Sequence, residues 1–226
     1  MNKVRSANGI TTSNLVFSTH CGNNAELFPQ ILNLYVQPHS SIADVTYGKG
    51  VFWKNVDTSQ YKFFPSDIQT GVDCRKLPYD SCSFDCVVFD PPYMEGLFRK
   101  DTAHMAGNGN FSSFREAYSN GKAYEQENAP KYHDAVLDLY YKAGVEIFRV
   151  LKNKGIFIVK CQDEVSANKQ HLTHVEIINY YESLGFIVED LFVLVRNNKP
   201  CVTRLIKQKH ARKNHSYFLV LRKFVK

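Results

Sequence analysis

Four acids in this chain stand at or just beyond the ends of apolar runs. Asp44 closes "SSIAD" and leads into Thr46-Tyr47-Gly48-Lys49-Gly50, while Asp67 follows "YKFFPS". Asp73 lies in "TGVDCRKLP", and Asp90 closes "DCVVFD" before Pro91, Pro92 and Tyr93. Gly48 and Gly50 have the spacing of a tight turn that lets a ligand approach the backbone. An acid beyond the next strand is where an α/β nucleoside site holds ribose hydroxyls. Three carboxylates around a glycine turn suit a cationic or hydroxyl-rich ligand better than a phosphate-rich one. A sulfonium nucleoside carrying an α-amino group meets both demands. The turn is neither the GxGxxG fingerprint nor a phosphate-binding loop, which needs Gly-Lys-Ser/Thr. Around Asp90, Val87-Val88-Phe89 favours a sheet, but Pro91 and Pro92 donate no ladder hydrogen bonds and have φ fixed. The chain must therefore leave the sheet abruptly, with Asp90 and Tyr93 held at its rim.

The elements that position these residues alternate between strand and helix patterns, which argues for an α/β sheet. Leu27, Phe28, Ile31, Leu32 and Tyr35 recur at helical spacing, with Pro29 expected in the first turn. Strands are expected over "SSIAD", "YKFFP", "SFDCVVF", "GIFIVKC", "FIVEDLFVLVR" and "SYFLVLRKF". Helical patterns fall at 131–151 and 176–184, the second stopping at Gly185. Residues 94–130 hold four glycines, many Asn and Ser, and few large aliphatics. They make a poor core element and are expected to form a long mobile loop, functional or simply disordered. The length of 226 residues fits one domain with a single sizeable core.

"DPPY" after an apolar strand, preceded by "DVTYGKG" and "DCRKLP", resembles the S-adenosylmethionine-dependent amino-methyltransferases. These methylate N6 of adenine or N4 of cytosine, mostly in DNA. The resemblance runs from about residue 15 to 226 in motif order. It implies a Rossmann-like fold: a mostly parallel seven-stranded sheet with an antiparallel last strand and helices on both faces. It implies cofactor contacts at His20, Asp44, Thr46, Tyr47, Gly48, Gly50, Asp67, Asp73 and Cys74. His20 belongs to "STHCGNNAELFPQ", placed like the segment that closes over the methionine part of the cofactor. Thr46-Tyr47 departs from the Phe-Ala type residues more usual in that loop. Asp90, Pro91, Pro92 and Tyr93 take the catalytic positions. An adenine amino nitrogen is nearly planar and a poor nucleophile. Two acceptors on its hydrogens, the Asp90 carboxylate and the Pro91 carbonyl, draw it towards a tetrahedral shape. Tyr93 offers a face for the base to stack on. No metal is needed. Asp as the first residue of the tetrapeptide favours adenine over cytosine. RNA as substrate, cytosine N4 as acceptor, or a catalytically silent nucleic-acid-binding subunit are the alternatives.

Charge points to the same partner. Residues 1–190 carry 18 Lys+Arg against 22 Asp+Glu (−4), and residues 191–226 carry ten and none (+10), together +6. Basic charge gathered at one end suggests a polyanion. Within the basic stretch 196–215, Lys207, Lys209, His210, Arg212, Lys213 and His215 fit phosphate contact, or a solvated hairpin tip. Sequence-reading relatives usually carry a separate recognition region of many tens of residues. Here only 94–130 and 196–215 are spare, so a short site, low specificity, a homodimer or a specificity subunit are the open options. Cys82 and Cys86 have no second pair at ligand spacing, so reduced thiols and no metal are expected. The N-terminus lacks the apolar core of a signal peptide, and no apolar run approaches a bilayer span. The expectation is an intracellular, cytoplasmic protein without a membrane anchor.

Overall fold

The computed structural model describes residues 15–95, 114, 117–118, 129–197 and 207–225. Nine strands are described: β1 Thr19–Cys21, β2 Ser41–Asp44, β3 Lys62–Pro65, β4 Phe84–Phe89, β5 Leu151–Cys161, β6 Glu164–Ser166, β7 Lys169–His171, β8 Phe186–Val195 and β9 His215–Lys223. Seven of them form one sheet in the order β1-β8-β9-β5-β4-β2-β3, and β6 and β7 form a separate hairpin. In the seven-stranded sheet β9 runs antiparallel to both β5 and β8, while the other pairings are parallel. The fold is thus the expected Rossmann-like methyltransferase sheet with its antiparallel last strand.

Side chains alternate between the two faces of the sheet, so each face builds its own core. Val87, Phe89, Phe157 and Val159 point to one face. There they pack against α2 (His133–Val150) and α3 (Thr173–Leu184) through Val136, Tyr140, Ile147 and Tyr181. Ile42, Val88, Ile158 and Phe218 point to the other face and meet α1 (Asn24–Tyr35) and the 3-10 turn Val51–Asn55 through Phe28, Phe52 and Trp53. Helices therefore lie on both faces.

α1 starts with a capping box: Asn23 accepts from the Glu26 amide, and Glu26 accepts from the Asn23 amide. That start places Pro29 inside the helix, not in its first turn as expected. A proline there removes the bond to the carbonyl four residues back. The abandoned acceptor is Ala25 O, and Asn55 Nδ2 donates to it at 2.9 Å. The same bond fastens the turn after the glycine loop to α1.

Other expectations need correction. α3 begins three residues before the expected Glu176, because Asp163 accepts from the His174 amide in its first turn. β5 spans eleven residues, longer than "GIFIVKC". The composition of 94–130 argues against a core element, yet Phe114 and Tyr118 are buried in the α2 core with rings 5.6 Å apart. The rest of that stretch, apart from Met94, Glu95, Ala117, Ala129 and Pro130, lies outside the described residues. Among the described residues no helix is long and apolar enough to cross a membrane.

Candidate active site

The strand ends that lead to Asp44, Asp67 and Asp90 share one edge of the sheet, and Asp73 lies in the connector to β4. Asp44 ends β2 and is buried; its carboxylate accepts from Trp53 Nε1 at 2.6 Å and from the Thr46 amide at 3.0 Å. Burial pushes its carboxyl up to about 7 despite those two bonds. The backbone then turns through Gly48 and Gly50 with φ of 54° and 63°, the left-handed region that favours glycine. A Cβ on Gly50 would come within 2.5 Å of the Tyr47 hydroxyl. Trp53, just beyond, brings the chain back onto Asp44.

Asp67 caps the 3-10 turn Ile68–Thr70, accepting from Gln69 N at 3.0 Å, and its other oxygen accepts from Gly48 N at 3.2 Å. This acid therefore shapes the glycine loop directly. Asp73 is engaged by Arg75, whose Nη2 lies 2.7 Å from Oδ2 and whose Nε donates at 3.0 Å. Burial works to raise this carboxyl, but Arg75 holds it below the usual range. Arg75 also donates to the Tyr118 carbonyl. Cys74 is buried, and burial pushes its thiol up to about 12, so it is an inert group.

Asp90 follows β4. Its amide donates to Thr46 Oγ1 at 2.6 Å, joining the Asp90–Tyr93 turn to the glycine loop. Its Oδ1 accepts from the Tyr93 hydroxyl at 2.5 Å. Burial, and then Asp90, push the Tyr93 phenol well above its ordinary value, so it stays a donor. Two residues on, buried Glu95 accepts from the Tyr132 amide at 2.6 Å. It pins the chain after the tetrapeptide to the start of α2. Among the described groups, the site thus gathers the acids Asp44, Asp67 and Asp90 around a backbone loop, next to an aromatic ring.

His20 is on the edge strand β1, with β8, β9 and β5 between it and β4. Its Nε2 lies 3.3 Å from Glu26 at the start of α1. The basic residues leave from the site's edge of the sheet, because β8 is parallel to β4 and ends at Val195. Lys207 and Lys209 are exposed, whereas His210 Nε2 lies 2.9 Å from Asn168 O on the β6–β7 turn. His215 opens β9 and is tied to the Tyr217 hydroxyl at 2.9 Å, which donates to Asp163 at 3.2 Å.

Several groups near the site carried no sequence signal. Lys160 in β5 is fully buried, its Nζ has no hydrogen-bond partner among the described residues, and it sits 3.8 Å from the Phe218 ring centroid. His133 has Nδ1 2.8 Å from Glu164 and Nε2 2.6 Å from Glu176. Burial opposes its charge, but the two carboxylates raise it above the ordinary histidine value. His171 stacks on its ring at 3.8 Å.

The family model of the N6/N4 DNA methylases matches residues 84–225, well over half of the chain and including the tetrapeptide. The chain belongs to this DNA methylase family. No curated protein matches it. Among solved structures, an S-adenosylmethionine-dependent methyltransferase from Methanosarcina mazei is 12% identical, with 87% of this chain and 98% of that one covered at a TM-score of 0.50. A Pyrococcus horikoshii protein is 15% identical over 88% and 89% of the two chains, also at 0.50. Both are similar in fold. A candidate DNA modification methylase from Thermus thermophilus is 19% identical at a TM-score of 0.39, with 69% of this chain covered. The chain spans about half of that protein's length (52%).

Family membership makes S-adenosylmethionine the cofactor, and the residues present fit it. The donor set is acidic, as a sulfonium with an α-amino group requires. The glycine loop turns through left-handed backbone at Gly48 and Gly50, a conformation that side chains disfavour.

Proposed function

We propose that this protein transfers the methyl group of S-adenosylmethionine to the exocyclic N6 amino group of adenine in DNA, with the target nucleotide flipped out of the stack. The observation that carries the reading is the Asp90-Pro91-Pro92-Tyr93 turn at the end of β4, hydrogen-bonded through Thr46 to the Asp44–Gly50 loop. S-adenosylmethionine supplies an electrophilic sulfonium methyl. Asp44, Thr46, Tyr47, Gly48, Gly50, Asp67, Asp73 and Cys74 form the wall that would hold it; in this reading Asp73 acts with Arg75 attached.

Asp90 accepts one amino hydrogen, and the Pro91 carbonyl, aimed by the rigid turn, accepts the other. The nitrogen lone pair is thereby freed for in-line attack, and positioning provides much of the rate. Asp90 takes the proton that the methylated nitrogen sheds. Tyr93 stacks on the base, which reaches Asp90 only when extruded from a duplex. The basic loop, from Lys207 through Lys209, His210, Arg212 and Lys213 to His215, supplies phosphate contacts near the same edge. With few residues to spare for sequence reading, a second copy or a specificity subunit completes target choice.

The test is labelled-methyl incorporation into duplex DNA, single-stranded DNA and structured RNA, with the modified nucleoside then identified. N6-methyladenine in DNA is expected, and Asp90→Ala should abolish it while calorimetry still detects the cofactor. Incorporation into RNA alone, or N4-methylcytosine as product, would overturn the assignment. Absence of cofactor binding would point to a silent subunit.

A further inference from the structure

Lys160 is out of place by any packing argument. It lies in β5 among Ile156, Phe157, Ile158, Val159 and Cys161, all buried, and is itself fully buried. Its Nζ has no hydrogen-bond partner among the described residues. An ammonium taken out of water loses a large hydration energy unless an opposite charge or a π-face compensates. The Phe218 ring, 3.8 Å away, offers partial compensation. The sheet register identifies the rest. Val88 pairs with Ile158 and Phe89 with Val159, so Asp90 follows alongside Lys160 on the adjacent strand. The alternation that puts Asp44 opposite Val88 places Asp44, Asp90 and Lys160 on the same α1-covered face.

We propose that Lys160 is a positioning residue of the transfer site, whose buried ammonium keeps the neighbouring Asp90 carboxylate in the charged, acceptor-only form that a substrate amino group needs. The inference rests on the reading of Asp90 as that acceptor. A protonated Asp90 would present a donor where an acceptor is required. The described groups around Asp90 supply little opposing charge. Asp44 on β2 is a like charge to Asp90, as Asp67 beyond β3 is to Asp44, and each such pair favours a proton on one of its members. Tyr93, Tyr140 from α2 and Cys161 from β5 are all pushed up by burial and carry no charge. Arg196, beyond β8, is exposed, so solvent screens it. α1 brings one charged residue, Glu26, exposed and paired with His20. Among the described residues, Lys160 is the fully buried cation on the face that carries these acids. Burial lowers it to about 7, with Asp90 the largest opposing influence, so it is charged on the acid side of neutrality, where Asp90 needs it.

Lys160→Met keeps length and flexibility and removes the charge. Single-turnover transfer by this variant, against wild type from pH 5 to 9, should show the acid limb moved up by about one unit. The loss should be about tenfold at low pH and shrink towards wild type in mild alkali, with cofactor affinity unchanged. An unmoved limb, or an equal loss at every pH, overturns the proposal. A second measurement needs no activity and does not depend on that variant folding. NMR titration of lysine labelled with 13C at Cε should place the Lys160 midpoint about one unit lower in Asp90→Asn than in wild type. An unchanged midpoint overturns the proposal as well. If wild type methylates no nucleic acid, the functional reading fails, while the titration still decides whether Lys160 and Asp90 are coupled.

Discussion

The Thr46 hydroxyl accepts the backbone amide of Asp90 at 2.6 Å, a bond between two loops 44 residues apart in sequence. Backbone pairing of β2 with β4 ends at Asp44 and Val88, and a last main-chain bond runs from Val45 N to Val88 O at 3.1 Å. Pro91 and Pro92 have no N–H, so the Asp90 amide is the final donor before the turn, and a side chain receives it. Thr46→Val preserves shape but leaves that amide unsatisfied, costing about 1–3 kcal/mol. Melting should fall by roughly 2–4 °C per kcal/mol of stability removed. Transfer should fall about tenfold or more, with cofactor affinity changed far less. Thr46→Ser should restore both. Scanning calorimetry with single-turnover kinetics checks this, and a Thr46→Val protein with wild-type transfer would show that the turn holds itself.

In this structure the Tyr93 hydroxyl donates to Oδ1 of Asp90, one oxygen of the carboxylate proposed to take the substrate amino group. The phenol competes with the base, while the ring serves it. Tyr93→Phe removes the competitor and should leave kcat/KM within about threefold of wild type, or raise it. Tyr93→Ala removes a stacking face worth about 1–3 kcal/mol per base and should lower kcat/KM by roughly 5- to 150-fold. Equal losses in the two variants would make the hydroxyl itself part of the reaction.

Much of the site was legible in the sequence because its signals are local. Asp44 with Gly48 and Gly50, and Asp90 with its two prolines, declare a strand end and a special turn within a few residues. The β9 reversal follows from the family motif order. What stayed hidden depends on distant partners. The start of α3 is set by Asp163, and Ala25 O is rescued by Asn55. The β6–β7 hairpin turns on Ala167 and Asn168 at φ of 49° and 61°, without the Asn-Gly or Asp-Gly that marks such turns. Phe114 and Tyr118 are core residues in a stretch whose composition reads as loop. Lys160 reads as an ordinary strand lysine until the register sets it beside Asp90.

Asp44 and Lys160 should shape the pH dependence of stability in opposite senses. Burial raises the folded Asp44 carboxyl from 3.8 to about 7, so its contribution is present below the unfolded value and is lost as pH rises to about 7. Burial lowers folded Lys160 from 10.5 to about 7, so the unfolded chain binds more protons between those values and stability rises across that window. The ligand-free protein should therefore pass through a stability minimum near pH 7 in denaturant titrations, each limb sloping by up to about 1.4 kcal/mol per pH unit. Asp44→Asn should flatten the acid limb and Lys160→Met the alkaline one. A curve that only rises would refute the Asp44 assignment, and one that only falls the Lys160 assignment.

The basic loop can be weighed by salt. Arg196 N donates to Asn214 O at 2.8 Å and closes the base of the loop, so substitutions beyond it need not disturb β8 or β9. Changing Lys209, Arg212 and Lys213 to Ala together should weaken DNA binding and reduce the slope of log K against log salt by about 0.9 for each phosphate no longer neutralised. Fluorescence anisotropy at several salt concentrations measures it. An unchanged slope would leave the three as residues of a solvated tip.

Pro29 and Asn55 form a testable pair across the α1 face. Proline in a helix interior costs about 3 kcal/mol, part of it the missing bond to the carbonyl four residues back. Here Asn55 Nδ2 takes that carbonyl, Ala25 O, at 2.9 Å, and so holds the turn bearing Trp53, which donates to Asp44. Asn55→Ala alone strands the carbonyl and should destabilise by about 1–3 kcal/mol. Pro29→Ala restores an amide that can take the same acceptor. Asn55→Ala should then destabilise the Pro29→Ala protein by less, giving a coupling of about 0.5–3 kcal/mol in a double-mutant cycle. Cofactor affinity is the second readout, because helix repair does not return the turn to α1. Asn55→Ala should weaken binding in both backgrounds even where stability is recovered. Strict additivity in stability would mean that Asn55 does not substitute for the proline's missing amide.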